Sequence, residues 1–454
     1  MPLADAVAEL RTLGLDALDS EDPTASLPAV LSWSLRHLTN QQRRVLALLS
    51  IAPGPDIALP AAANLSGLTE LDTHAILRAL VEASLIDRIP GGRYGMHDLV
   101  RGYATSIADD LPCEVRGTAL RRVLDFYTHT AYAADRLVDP HRVPPAPSPV
   151  AGSTHPDRLA DAAAAMAWFD TEHACLLAAQ RTAATNHWYP TVWYLAWGLT
   201  TFHLWRGHRH DMLAVWRAAA DAATHLPDPS ALGRALRALG RTHAYLGHHD
   251  EAIENLHQAL AIAQHHHDPA QQAHIHRALG RAWGQQGDDR RALDHIRHAL
   301  DLYRGLDHPV SEARALTAVG WHAARLGEYN SARDHCWAAL TLQRHHHNPD
   351  GEASALDNLG YVEYRSGRYI QSIDHYSHAL TLRRKLGHSY YAAETLDRLG
   401  HPHVALGQTE PARAAWQEAL QLYQEQGRGD DAARVQRLLD ELGESGTGGT
   451  SSVG

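Results

Sequence analysis

Lysine is almost missing from this chain. Of 41 basic side chains in 454 residues, 40 are arginine and one, Lys385, is lysine. A lysine nucleophile or a phosphate-gripping lysine has one candidate, and it lies in Arg383-Arg384-Lys385-Leu386 near the end of a helical segment, outside any Gly-rich loop. Cysteine is nearly as scarce. Cys113, Cys175 and Cys336 are far apart and show no C-x-x-C spacing, which excludes a disulfide framework and a Cys-based zinc site and fits a reducing cytosol. Long apolar runs are absent too: Asp161, Asp170 and His203 interrupt the best of them, and Met-Pro-Leu-Ala-Asp has neither a basic nor an apolar region of an export signal. The expectation is a cytoplasmic chain with no membrane contact. A basic excess is also lacking, because 52 acidic side chains leave a net charge of −11, which argues against broad affinity for nucleic acid. Without H-E-x-x-H, G-x-S-x-G or a phosphate loop, the chain reads as a non-enzyme with no catalytic residue, no metal site and no cofactor of its own.

What is present is a repeat. Ala238-Leu239-Gly240 recurs as Ala278-Leu279-Gly280, Ala318-Val319-Gly320, Asn358-Leu359-Gly360 and Arg398-Leu399-Gly400, a period of forty residues. A second glycine follows in each unit (Gly247, Gly287, Gly327, Gly367, Gly407), and an Ala-Leu pair closes it. The first glycine lets two helices approach closely, and the second can adopt the left-handed geometry that ends a helix. Asp228-Pro229, Asp268-Pro269, His308-Pro309 and Asn348-Pro349 carry a residue before a proline, the pattern that opens a helix. Each unit is therefore a helical hairpin. His401-Pro402 puts a proline inside the first helix of the fifth unit, which predicts a kinked or deformed cap there.

These units resemble tetratricopeptide repeats in a long form. With a degenerate earlier unit from Tyr194, about six repeats span residues 188–440, and 441–454 reads as a disordered tail. The resemblance implies a right-handed α-solenoid whose first helices line a concave face. Its rows are Arg234, His274, Arg314, Ser354 and Glu394; Arg237, Arg277, Thr317, Asp357 and Asp397; and Arg241, Arg281, Trp321, Tyr361 and His401. The groove would run from basic to acidic. It would orient an extended protein or peptide partner of acidic character, with the arginines pairing carboxylates and Trp321 or Tyr361 offering flat apolar contact.

The N-terminal third reads as helices around residues 28–49 with a break at Thr39-Asn40. A short helix opens at Leu59-Pro60, and a longer one capped by Asp72 runs to Leu85. A hairpin follows over Leu85–Ile89, Pro90-Gly91-Gly92 and Arg93–Met96. Helices followed by a hairpin describe a winged helix over 28–110. It ends in Met96-His97-Asp98, which resembles the Met-His-Asp motif of NB-ARC signalling ATPases. That likeness implies His97 as a phosphate sensor and Asp98 as its orienter, with ADP or ATP bound only if a separate P-loop chain supplies the lysine. Val123–Thr130, His141–Pro147 and Ala167–His173 extend the resemblance to the C-terminal part of actinobacterial antibiotic-regulatory proteins of the NB-ARC and repeat type. Residues 1–27 then read as the remnant of a preceding module, and 111–187 as a helical linker region with a Pro-rich segment at 139–157.

The fold class expected is all-α: a winged-helix domain, a helical linker region and the solenoid. The function expected is a cytoplasmic regulatory or scaffold protein. Two other readings are DNA binding through the winged helix, using Arg93 and Arg101, and half of a nucleotide switch completed by an NTPase partner chain. DNA is disfavoured because the candidate recognition helix sets Arg78 against Glu70, Asp72 and Glu82. The triplets His265–His267 and His345–His347 fall near helix C-termini, where the helix dipole favours them without any metal. Protonating all 34 histidines would reverse the sign of the net charge. Oligomeric state stays open.

Overall fold

The structure is a computed structural model that describes residues 35–142, 147 and 154–447, with side chains through 443. The stretch 1–27 and part of the Pro-rich segment lie outside the described residues. The chain divides into two compact units. Of the described residues, one unit comprises 35–134, 147, 154–160 and 167–198; the other comprises 135–142, 161–166 and 199–447.

In the first unit, Thr39 opens α1 (Asn40–Ser50) with a reciprocal capping box to Gln42. Then come β1 (Asp56–Ile57), α2 (Leu59–Ser66), α3 (Glu70–Glu82), β2 (Asp87–Ile89), β3 (Arg93–Gly95) and α4 (Asp98–Asp109). The cap of α3 is Thr69 rather than Asp72: the Thr69 hydroxyl accepts from the Asp72 amide at 3.2 Å and donates to its carboxylate at 2.7 Å. The expected hairpin forms, with Arg88 opposite Tyr94 and Gly91 and Gly92 at positive φ in its turn. A third strand joins it, since β1 pairs with β3 to give the order β1-β3-β2. Two residues are too short to show a strand period.

Arg93 is the anchor of this sheet. It is buried, and its guanidinium donates to Asp56 on β1 at 2.6 Å and to both carboxylate oxygens of Glu172. Burial would lower its pKa, but Glu172 and Asp56 outweigh that and raise it. Arg101 is engaged as well, donating to the carbonyl of Pro55 at 3.1 Å. Both cations named for a DNA contact are thus committed inside the unit, and Arg78 pairs with Glu82.

Helices α5 (Cys113–Val138), α6 (Ala162–Thr185) and α7 (Tyr189–Arg206) contribute residues to both units. The second unit continues through α8 (Arg209–Ala223), α9 (Pro229–Tyr245), α10 (His249–His265), α11 (Pro269–Gln285) and α12 (Asp289–Gly305). After these come α13 (Pro309–Arg325), α14 (Tyr329–His345), α15 (Pro349–Arg365), α16 (Tyr369–Leu386), α17 (Ser389–Ala405), α18 (Thr409–Glu425) and α19 (Gly429–Thr447). The prolines open α9, α11, α13 and α15 as the sequence predicts, and Asp228, Asp268 and Asn348 cap three of them with their side chains.

Close packing explains the glycine period. A Cβ on Gly240, Gly280, Gly320, Gly360 or Gly400 would strike Leu256, Ile296, Cys336, Tyr376 or Trp416, sixteen residues on in every case. The second glycines all take positive φ. Pro402 does not deform its unit: it sits in the last turn of α17, which has the same seventeen residues as α9. The capping element is α19, whose Val435 and Leu439 are buried against α18 with Leu438 and Leu442 beside them. The helix therefore runs to Thr447, into the stretch expected to be disordered.

His267 and His347, the last members of the two triplets, hold φ of +49° and +51° at the C-terminal ends of α10 and α14. A histidine there gives up about 0.5–1 kcal/mol relative to glycine. His347→Gly should raise stability by about that amount, whereas Gly360→Ala should lower it by about 1–3 kcal/mol because the Tyr376 ring has nowhere to go. Urea unfolding of the two variants beside wild type checks both signs.

Candidate functional site: the inner face of the repeats

First helices of successive hairpins pack on one another, α9 with α11, α13 with α15 and α15 with α17, so positions forty residues apart stack along one face. That face carries the predicted rows, half-buried in its basic part. Arg237 lies within electrostatic range of Arg142, Arg234 and Arg277, and Arg241 within range of Arg142, Arg237 and Arg277. Arg234 also feels the Asp228 cap. His274 sits among Arg237, Arg277 and Arg314; burial first, and then these charges, hold it well below the usual histidine range, so it is neutral. Its Nδ1 shares a 2.6 Å hydrogen bond with the buried Tyr303 hydroxyl.

Two acidic side chains at the end of α5, Asp135 in its last turn and Asp139 just beyond it, enter the same face, which the sequence did not suggest. Asp139 meets Arg314 at 3.3 Å. Asp135 is fully buried, accepts from Arg142 at 2.7 Å and from Thr201 at 2.5 Å, and is pushed by burial up to about 6. Each of these carboxylates has its own arginine. Arg237, Arg241 and Arg277 have none: among the described residues they form no ion pair, and the Nε atoms of Arg237 and Arg241 are buried without a hydrogen-bond partner. Burial and the neighbouring arginines pull Arg237 down to about 10 and Arg241 to about 9.

Arg281 is different. It donates to the Tyr391 hydroxyl at 3.2 Å, and Tyr391 bonds the Tyr245 hydroxyl at 3.2 Å, so α17 meets α9 and α11 across the curve of the repeats. Arg209 is sandwiched there between the Tyr245 and Tyr390 rings at 4.0 and 3.9 Å, with all its nitrogens buried and unbonded. Arg281 is thus a brace within the fold rather than an open contact.

The acidic part of the face is neutralised, which corrects the expected run from basic to acidic. Burial would raise Asp357, but Arg398 and Arg383 hold its carboxylate below the ordinary range, and Thr395 donates to it at 2.8 Å. Asp397 binds Arg434 at 2.6 Å and the Tyr423 hydroxyl at 3.1 Å, while Glu394 pairs with Arg398 and Arg428. A cavity of about 450 Å³ opens here, lined by Tyr361, Tyr364, Arg398 and His401 among others. Trp321 lies against Tyr361, ring centroids 4.8 Å apart, with Arg398 over its face at 4.9 Å. One register position in the second helices recurs in these contacts: Tyr303, Arg383 and Tyr423, spaced by multiples of forty, each bond a residue of the preceding first helix. A polar residue in a buried row was the signal for it.

His97 and Asp98 stand apart from this face. His97 is the N-cap of α4, exposed, its Nδ1 accepting from the Leu99 amide at 3.3 Å; Asp98 is exposed in the first turn and makes no bond to it. The orienting role assigned to Asp98 has no contact behind it.

Residues 232–305 and 351–425 match the tetratricopeptide repeat family, so the chain carries these repeats. It is similar to "Regulatory protein AfsR" of Streptomyces coelicolor, 36% identical over 238 residues, and to the Streptomyces griseus protein of that name, 34% identical over 237 residues. Each match takes in 50% of this chain and 23% of the relative, so it covers less than a quarter of that protein's length. Among solved structures, a STAND protein with a tetratricopeptide repeat sensor from Pyrococcus horikoshii aligns over 97% of this chain and 71% of its own. Its identity is 14% and its TM-score 0.43. A Rap protein complexed with competence and sporulation factor aligns over 71% of this chain and 98% of its own, at 12% identity and a TM-score of 0.45. No described helix is long and apolar enough to cross a membrane.

The cation cluster leaves a titratable mark. Burial would raise Tyr245, but Arg281, Arg209 and Arg241 outweigh it and pull the phenol down to about 8, from an ordinary 10, while its partner Tyr391 is raised. A depressed folded-state pKa adds stability that is full above pH 10 and is lost as the pH falls through about 8. Ultraviolet titration should show one tyrosinate forming near pH 8, absent in Tyr245→Phe; a first tyrosinate only near pH 10 would contradict the assignment.

Proposed function

We propose that this chain is a non-enzymatic regulatory protein that takes a protein or peptide partner, acidic where it meets Arg237, Arg241 and Arg277, on the inner face of its repeats. The observation that carries the reading is the set of half-buried guanidinium groups without a carboxylate of their own. Bringing like charges together in a poorly solvated place costs free energy, and an incoming anion removes that cost. The neutralised acidic part then acts as an apolar and cation-bearing rest for the partner, with Trp321 and Tyr361 providing flat surface. The regulatory role follows the similarity to a regulatory protein over half of this chain.

Within this reading the segment 35–110 is a winged helix used as a structural module. Arg93 and Arg101 serve its interior, which leaves it poorly equipped to grip a phosphate backbone. A nucleotide would enter only with a separate P-loop chain, and His97 then has Nε2 to offer while Nδ1 holds the cap.

Affinity capture from the source cells with mass spectrometry tests the reading. The wild-type chain should retain a partner that Arg237→Glu/Arg277→Glu loses by at least tenfold, and Trp321→Ala should weaken the same partner. Identical sets of captured proteins with wild type and the arginine variant would overturn it.

A further inference from the structure

Arg237, Arg241 and Arg277 raise a narrower question, because the two carboxylates from the end of α5 that reach the basic part of this face already have arginines of their own. Asp139 takes Arg314, and Asp135 takes Arg142 with help from Thr201. One carboxylate brings one charge and two oxygens, which one arginine fork can engage. What is left over is of another kind. Arg237 and Arg241 are one turn apart on α9, and Arg277 stands forty residues on from Arg237 on α11, so the three guanidinium groups come from stacked positions of adjacent rungs. Arg237 lies within electrostatic range of Arg277, and Arg241 within range of both Arg237 and Arg277. Nε of Arg237 and of Arg241 is buried with nothing to donate to. Neutral His274, tied to Tyr303, adds no charge and lines the edge.

From this geometry we infer that Arg237, Arg241 and Arg277 form a phosphoryl-binding site. A phosphate monoester near neutral pH brings about −1.5 to −2 charges and three acceptor oxygens on one centre. That density matches three neighbouring forks, which bind phosphate in planar, two-pronged geometry where a lysine would act as a point charge. The inference rests on the reading of this face as the partner site and specifies the group the partner brings there. A phosphorylated side chain and a small phosphate ester share this chemistry.

Isothermal titration of the full chain with three probes decides the matter: inorganic phosphate, a phosphoserine peptide, and the same peptide with glutamate in place of phosphoserine. Saturable binding of phosphate or the phosphopeptide, at least tenfold tighter than the glutamate peptide at equal ionic strength, is the expected result. Phosphopeptide tighter than inorganic phosphate assigns the site to a modified segment, and equal affinities assign it to a small ester. Arg237→Gln and Arg277→Gln should each weaken binding at least tenfold. Arg237→Lys, which keeps the charge and loses the fork, should weaken it too, while the exposed Arg297→Gln should not. Circular dichroism confirms that the variants fold. Binding should also move the ionisation of Tyr245 to higher pH, as the anion offsets the nearby cations. Equal affinity for the phosphoserine and glutamate peptides would overturn the phosphoryl assignment and leave the acidic-partner reading standing. No binding of any probe beyond a sodium chloride control would overturn both.

Discussion

The forty-residue register is the constraint on which the rest depends. It is enforced where the first glycine of each unit meets a large side chain sixteen residues on, from Leu256 at Gly240 to Trp416 at Gly400. Because no Cβ fits there, the two helices of each hairpin cannot slide, and the Asp-Pro, His-Pro or Asn-Pro openings begin the next unit at a fixed point. Fixed spacing along the chain becomes stacking in space. Side chains forty apart therefore meet the same neighbours, and a change of residue type down a row becomes a change of chemistry along the inner face.

Charge follows from that geometry. On the rungs around Asp357 and Asp397 each carboxylate is met by arginines from adjacent helices, and the electrostatics close locally. On the rungs around Arg237 and Arg277 the available anions, Asp135 and Asp139, are taken by Arg142 and Arg314. The same face thus holds a balanced part and an unbalanced part. A folded chain that keeps unpaired cations in a poorly solvated place sacrifices stability there, which is the usual mark of a site shaped for something other than folding.

How much of this was legible follows from where each signal lies in the chain. Gly240, Pro229, Ala238 and their equivalents repeat strictly, so the hairpins, their caps and the membership of the inner rows could be read off one sequence. The neutralised acidic part could not be read from the rows alone, because Arg383, Arg428 and Arg434 sit outside them. Arg398 was visible, as the one arginine at a landmark otherwise held by Ala238, Ala278, Ala318 and Asn358, but its pairing with Asp357 requires the neighbouring helix. Asp135 and Asp139 belong to a stretch with no periodicity, so nothing in the sequence directs them to Arg142 and Arg314. Arg93 misled for a related reason: its neighbours suggest an exposed hairpin, and only the two-residue strand at Asp56 and the distant Glu172 reveal a buried anchor.

If Arg237, Arg241 and Arg277 repel one another in the absence of a partner, added salt must relieve that repulsion. Thermal unfolding of the whole chain should be measured across a range of sodium chloride concentrations, beside the double variant Arg237→Gln/Arg241→Gln. Screening relieves repulsion between partly exposed charges within a Debye length of about 8–10 Å at physiological salt. The melting temperature should rise with salt in wild type and rise distinctly less in the variant. Parallel curves, or a wild-type melting temperature that falls as salt is added, would contradict it.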